Sequence, residues 1–84
     1  MKQLAYLAVM TTHELDATGL LCPLPVLKLR KRLGTLQPGD VMRLRADDPA
    51  AIIDVPHFCT EAGHTLVETV DEGSSQIYIV RKGT

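Results

Sequence analysis

Apolar and polar residues along the chain form alternating and helical patterns that predict six elements. Strands are predicted where the two kinds alternate, at 12–17, 41–46, 65–70 and 76–80. A helix is predicted over 24–33, and its buried stripe comprises Val26, Leu29 and Leu33. Turn residues at 71–75 predict a hairpin between the last two strands.

The second helical region is predicted to form two pieces. Asp48-Pro49 is a helix-start signal, because aspartate caps helices and proline is tolerated in their first turn. Pro56 would break a continuous helix, so we expect a short turn over 49–53. A second piece, capped by Asp54, would then run to Gly63. The apolar residues of this region are Ile52, Ile53, Phe58, Cys59 and Ala62.

This order of elements predicts an α+β fold. Two helices on one face of a four-stranded mixed sheet would bury both apolar stripes in a two-layer βαβαββ sandwich. The first strand–helix–strand unit should be a right-handed parallel crossover. In the second strand, Met42, Leu44 and Ala46 face one way, and Arg43 and Arg45 face the other, toward water.

Composition and charge exclude several function classes. The chain has 84 residues, enough for one domain, with 45% hydrophobic and 23% charged residues. A net charge of −1 gives no global attraction to nucleic acid or to anionic membranes, and one Phe, two Tyr and no Trp offer little for base stacking. No apolar run approaches the roughly 20 residues of a membrane span. We therefore expect no stable nucleic-acid binding and no membrane association.

The N-terminal residues 1–11 are expected to form a tail or an extra edge strand beside a single domain at 12–84. Their apolar run, Leu4 to Met10, is at the low end for a signal peptide and has no clear cleavage site. We expect a cytoplasmic protein, because a reducing compartment suits a free thiol.

The most distinctive stretch is 20–27, in which Cys22 precedes two prolines, Pro23 and Pro25. Proline suits the first turn of a helix, so Cys22 is expected at or near the N-cap, with its sulfur over the positive helix end. Proline also disfavours helical angles in the preceding residue. The segment 22–25 should therefore be stiff and extended, with the sulfur held outward.

Such a helix start favours an anion, and a thiol placed there loses its proton more easily. Three backbone N–H groups would lack a helical partner, those of Leu24, Val26 and Leu27. From the residues alone, Cys22 is either a reactive thiol or a small apolar residue in a helix start.

The loop before Cys22 contains two residues that favour a turn. Gly19 ends the first strand and lets the chain turn. Asp16 is a candidate for accepting backbone hydrogen bonds in this loop. An alternative role for Asp16 is that of a base for Cys22.

Four of the nine basic residues lie on the first helix, which contains no acidic residue: Lys28, Arg30, Lys31 and Arg32. One interpretation is a docking surface for an acidic protein or for RNA phosphates. The other is a solvated face that complements the negative end of the helix dipole.

The remaining cysteine, Cys59, is expected to be a buried small hydrophobe. His57, Cys59 and His64 suggest a metal site, but residues 57 and 59 point to nearly opposite sides of a helix and a fourth ligand is not evident. We expect no metal and no other cofactor.

The segment from Leu15 to Pro25 resembles the signature of the TusA/SirA/YedF family of small sulfur-carrier proteins. That signature reads Leu-Asp, two residues, Gly-Leu, one residue, then Cys-Pro-x-Pro. The resemblance extends over 13–83 and is closest to the TusA branch. It continues through Gln37-Pro38-Gly39-Asp40, Ala46-Asp47-Asp48-Pro49-Ala50, Asp54-Val55-Pro56, Phe58-Cys59 and Arg81-Lys82-Gly83.

The resemblance implies a fold like that of the C-terminal domain of translation initiation factor 3, and a sulfurtransferase that carries sulfane sulfur as a persulfide on Cys22. It implies a cysteine desulfurase or a rhodanese-type protein as sulfur donor and a downstream protein as acceptor, in tRNA thiolation, molybdenum-cofactor supply or sulfur oxidation. Pro23 and Pro25 would keep the persulfide exposed. Leu21 and Leu24 depart from the TusA pattern, which has charged residues there, and this difference bears on the choice of partner.

Two other functions are consistent with the residues. A non-catalytic module could bind protein or RNA through the basic helix and the open sheet face. A redox protein would need a resolving thiol, for which Cys59 is the internal candidate.

Overall fold

The computed structural model describes residues 12–83 and confirms the predicted βαβαββ order. The elements are β1 (Thr12–Asp16), α1 (Leu24–Leu33), β2 (Val41–Ala46), α2 (Ala51–Ala62), β3 (Thr65–Asp71) and β4 (Gln76–Arg81). The tail or edge strand expected at 1–11 lies outside the described residues. Within 12–83, neither helix has the length and apolar character needed to cross a membrane.

The four strands form one mixed sheet in the order β1-β2-β4-β3. β1 and β2 are parallel because α1 carries the chain back across the sheet between them. β4 is antiparallel to both β2 and β3. The ends of β1 and β2 that lead into the Cys22 loop and into α2 therefore lie side by side, with Asp16 opposite Arg45.

The core lies between the sheet and the two helices. Alternation places Met42, Leu44 and Ala46 of β2 on the helix-facing side, where all three are buried, as predicted. In α1, Leu29 and Leu33 are buried, while Val26 is only half-buried. The rest of the core includes Leu15, Ala17, Ala51, Val55, Phe58, Cys59, Tyr78 and Val80.

The predicted break at Pro56 is wrong, because α2 is continuous from Ala51 to Ala62 with Pro56 inside it. An internal proline costs a helix about 3 kcal/mol or more. Burial of Val55 and Phe58 contributes about 1.5–3 kcal/mol for each side chain and offsets that cost. The residues expected to start the second piece are thus interior helical positions, and Asp54 is free for another role.

The buried stripe of α2 also differs from the apolar set listed from the sequence. Ile52 and Ile53 are 52% and 73% exposed, whereas Phe58 and Cys59 are buried with Ala51. Ile52 and Ile53 follow Ala51 directly, so the helical period turns them away from the side that packs on the core.

Lys82, which directly follows β4, is hydrogen-bonded to the C-terminal end of α1. The Lys82 ammonium donates hydrogen bonds of 2.8 Å to the carbonyl oxygens of Leu33 and Leu36. These carbonyls lie in the last turn of α1 and just after it, where a helix has fewer N–H donors for its carbonyl groups, and the Leu33 carbonyl also accepts the Leu36 N–H at 3.0 Å. The Gly83 N–H donates to His64 Nδ1 at 2.9 Å and joins the segment that follows β4 to the start of β3.

Candidate active site at Cys22

Cys22 is exposed and lies in the turn that connects β1 to α1. The helix N-cap is Pro23, so Cys22 precedes the cap by one residue. The expected extended segment is wrong, because the chain makes a tight turn in which the Leu24 N–H donates to the Leu21 carbonyl at 2.8 Å. The Leu27 N–H likewise donates to the Pro23 carbonyl at 3.1 Å, so neither group is free for an anion.

Two carboxylates hold the loop before Cys22. Asp16 Oδ1 accepts hydrogen bonds from the Thr18 N–H at 2.9 Å and from the Thr18 hydroxyl at 2.7 Å. These bonds hold the pKa of Asp16 below its usual value. Asp47 Oδ1 accepts the Gly19 N–H at 2.9 Å, and Gly19 has φ of +82°, a conformation that favours glycine.

Two further carboxylates, at the start of the α2 region, contact Cys22 itself. The Cys22 N–H donates to Asp48 Oδ2 at 2.5 Å. The Cys22 thiol donates to Asp54 Oδ2 at 3.0 Å, within the range for a hydrogen bond that involves sulfur. The carboxylate beside the thiol is therefore Asp54 and not Asp16, the alternative base considered from the sequence.

The pKa of Cys22 is raised, and the expected activation by the helix start is wrong. The hydrogen bond to Asp54 is the largest cause, followed by partial removal from water and by the negative charges of Asp54 and Asp48. A hydrogen bond donated by S–H to a carboxylate stabilises the protonated form, and nearby negative charge disfavours a thiolate. The free protein therefore carries a thiol at neutral pH.

A groove of about 400 Å³ opens beside Cys22, between α1 and α2. Its charged lining is mixed: Arg30 from α1, and Asp54, His57 and Glu61 from α2. The Arg30 guanidinium lies 5.4 Å from the centroid of the Phe58 ring, a cation–π contact that holds it at the groove. The groove thus presents the thiol to a partner segment together with groups of both charges.

The basic residues of α1 are all exposed, but the structure brings only Arg30 of the four to the groove. Arg32 Nη2 donates to the Glu14 carbonyl at 3.4 Å, on the side of β1. Lys28 contributes to the lowered pKa of Asp16 through its charge. The basic face therefore extends from the groove along α1, and its docking role stays a prediction.

Two apolar side chains that flank Cys22 in the chain are exposed. Leu21 is 69% exposed and Leu24 is 46% exposed. These are the two positions at which the sequence departs from the TusA pattern. The surface around Cys22 is therefore more apolar than that pattern would make it.

The remaining cysteine and the two histidines considered as metal ligands have separate surroundings. Cys59 is buried at 2% exposure, as predicted, and burial raises its pKa to about 11. His64 accepts the Gly83 N–H through Nδ1, while His57 is exposed at the groove. Within 12–83, no three side chains of His, Cys, Asp or Glu converge as metal ligands would.

A model of the family described as Sulfurtransferase TusA matches residues 13–82. The chain belongs to this family. The family assignment gives it the role of a sulfurtransferase or sulfur carrier, and the match includes every residue of the Cys22 site.

A solved structure supports the fold independently. The SirA-like protein from Desulfitobacterium hafniense superposes with a TM-score of 0.73 at 22% sequence identity. The matched region covers 84% of this chain and 97% of that protein. At this identity the likeness shows a shared fold, and it carries no statement about activity.

Reasoning from the sequence missed three site residues, Asp47, Asp48 and Asp54. The sequence predicts helix caps at Asp48 and Asp54, and both predictions are wrong: the N-cap of α2 is Ala50, and Asp54 lies inside the helix. Asp48 accepts the Ala50 N–H through Oδ1 at 3.1 Å, just before the helix begins. Asp54 lies 32 residues from Cys22 in the chain, so no local pattern links the two. The available signal was that all three residues lie in segments through which the family resemblance continues.

Proposed function

We propose that this TusA-family protein is a sulfur carrier that accepts sulfane sulfur as a persulfide on Cys22 and passes it to a downstream acceptor protein. The observation that carries the proposal is an exposed cysteine at the mouth of a groove, in a chain that belongs to a sulfurtransferase family. Cys59 is buried and cannot serve as the acceptor without local unfolding.

The proposed reaction is nucleophilic exchange at sulfur. The Cys22 sulfur attacks the outer sulfur of a donor persulfide, and the donor's inner sulfur leaves as its thiol. The same exchange with a cysteine of the acceptor unloads the carrier. Because Cys22 lies on a turn outside the helix, a partner's cysteine can approach its sulfur from solvent.

For the donor we propose a cysteine desulfurase or a rhodanese-type protein in the cytoplasm. The exposed cations of α1 would meet an acidic surface of that donor, with Arg30 nearest the thiol. Leu21 and Leu24 would contact an apolar part of the same surface. Among the pathways that use such carriers, tRNA thiolation is the one we favour, because the sequence resembles the TusA branch most.

Intact-protein mass spectrometry tests the proposal. The protein is incubated with a cysteine desulfurase and cysteine, or with a rhodanese and thiosulfate, beside Cys22→Ser and Cys59→Ser. Wild type and Cys59→Ser should gain one sulfur atom that reductant removes, and Cys22→Ser should gain none. If wild type stays unloaded with every donor while folded, the carrier function is wrong and a binding module is the better account.

A further inference from the structure

Asp54 is placed by α2 directly against the reactive sulfur. It lies between the buried residues Ala51 and Val55, so the packing of α2 on the core fixes its backbone. Its Oδ2 accepts the Cys22 S–H hydrogen bond at 3.0 Å. Among the described residues, Asp54 is the one side chain that is hydrogen-bonded to this sulfur.

The other charged groups around Cys22 are engaged differently. Asp48 uses its two carboxylate oxygens for the N–H groups of Cys22 and Ala50. Arg30, His57 and Glu61 line the groove, but none of them forms a hydrogen bond with the Cys22 sulfur. Asp54 is therefore the group with an oxygen already in contact with the proton that must leave.

The resting thiol carries a proton that must leave before the sulfur can form the new bond. Asp54 and Asp48 raise the pKa of Cys22, so that the thiol and not the thiolate is present at neutral pH. A thiol is a poor nucleophile, because the thiolate is the reacting form. The proton must therefore leave before or during the attack, and a base in contact with it would assist the second route.

We propose that Asp54 is a catalytic base that accepts the Cys22 proton while Cys22 takes sulfur from the donor. The proposal rests on the proposed function, and it assigns to the site a group that the carrier role alone does not require. In this proposal the nucleophile, Cys22, lies just before α1, and the base, Asp54, lies in α2.

Atoms and electrons are conserved in the transfer. A bond forms between the Cys22 sulfur and the outer sulfur of the donor persulfide, while the donor's sulfur–sulfur bond breaks and its electron pair stays on the donor cysteine. The Cys22 proton moves to Asp54 Oδ2 and then to the departing donor thiolate. One thiol and one persulfide are consumed and one of each is formed, so no external oxidant or reductant is needed.

Two rates measured on Asp54→Asn distinguish a base from a group that only raises the pKa of Cys22. One is single-turnover sulfur loading from a persulfidated cysteine desulfurase, and the other is alkylation of Cys22 by a neutral electrophile, iodoacetamide. Both are followed from pH 6 to pH 8 in a Cys59→Ser background. Glu68→Gln removes the same charge from an exposed position on β3 and serves as the matched control. Asp54→Ala is a second variant that lacks the side-chain hydrogen bond altogether.

Asp54→Asn should be alkylated faster than wild type, because its thiol pKa falls, yet it should accept sulfur more slowly. The ratio of the loading rate to the alkylation rate should fall roughly 100-fold, as for loss of an ordinary general base. In Glu68→Gln the ratio should stay at the wild-type value.

A ratio that is unchanged in Asp54→Asn and Asp54→Ala, with both rates rising together, would overturn the assignment of Asp54 and leave the carrier function intact. Failure of folded wild type to load from the donor, while its Cys22 is still alkylated, would instead refute the carrier function and the base with it. Sulfur loading of the wild-type protein therefore distinguishes the two failures.

Discussion

At the scale of single residues, two opposing effects act on the proton of Cys22. The nearby start of α1 favours a thiolate, as the sequence suggested. Asp54 accepts the S–H at 3.0 Å, and Asp54 and Asp48 bring negative charge to the same sulfur. The direct contact dominates because hydrogen bonding and charge act at close range, whereas the helix end has part of its N–H groups already occupied.

This balance explains why the cysteine could be identified from the sequence and its pKa could not. Cys22 is marked by a local motif, the prolines that follow it and the glycine before it. The direction of its pKa shift depends on Asp54, which the fold brings across from another helix. Gly19 is a local feature of the same loop, and its positive φ matches the turn expected from the sequence.

The residue-scale prediction concerns Gly19→Ala. Gly19 has φ of +82°, and an added Cβ would meet no atom within 4 Å, so the cost is backbone strain alone. Substitution should lower the free energy of unfolding by about 1–2 kcal/mol and should slow sulfur loading, because the turn before Cys22 shifts. Chemical denaturation and the loading assay measure the two effects.

Gly73→Ala is the matched control. Gly73 has φ of +88° and equal space around it, but it lies in the hairpin turn between β3 and β4. It should lose similar stability and keep the wild-type loading rate. Equal loading by the two variants would show that the Gly19 turn does not position Cys22.

At the scale of elements, the strands and α1 could be predicted closely and α2 could not. Alternation of apolar and polar residues predicts a strand directly, because it places the apolar residues on one face. The predicted α1 has the observed bounds, Leu24–Leu33. For α2, the sequence rule that proline ends a helix fails at Pro56. Burial of Val55 and Phe58 against the core stabilises the continuous helix, and this tertiary packing cannot be predicted from the local sequence.

The element-scale prediction concerns the attachment of α1 to β4. Lys82→Met removes two 2.8 Å hydrogen bonds from the Lys82 ammonium to the carbonyls of Leu33 and Leu36. The free energy of unfolding should fall by about 1–2 kcal/mol, toward the low end for charged hydrogen bonds because the site is partly exposed. Lys31→Met, on the exposed face of α1, should change stability little. Equal losses in the two variants would contradict a specific role for Lys82.

At the scale of the whole molecule, the fold brings carboxylates from two regions of the chain to one loop. Asp16 ends β1, while Asp47, Asp48 and Asp54 follow β2 or lie in α2. They reach the loop because β1 and β2 are adjacent and parallel, so the chain leaves both strands at the same edge of the sheet. The βαβαββ topology was predictable from the order of elements, but this convergence required the register of the strands and the course of α2.

The prediction at this scale concerns stability against pH. Burial and the charge of Lys82 lower the pKa of His64, and its Nδ1 accepts the Gly83 N–H, which requires the neutral ring. The unfolded chain therefore binds a proton at His64 more readily than the folded one. The contribution of His64 is complete above its unfolded pKa of about 6.5, and it is lost as the pH falls from there through the lower folded value.

Denaturation measured between pH 7.5 and pH 5 tests this sign. Wild type should lose stability as the pH falls, and His64→Gln should show a shallower fall. His57→Gln, at the exposed groove position, should keep the wild-type slope. A slope that is as steep in His64→Gln as in wild type would contradict the account.

Locating the transferred sulfur within the chain tests directly whether Cys22 carries it. Wild type is loaded by a cysteine desulfurase with cysteine, its persulfide is trapped with an alkylating reagent, and the digested peptides are weighed. We expect one additional sulfur atom on the peptide that contains Cys22, removable by reductant, and no additional sulfur on Cys59. Sulfur found on Cys59, or on neither cysteine of a folded chain, would contradict this expectation.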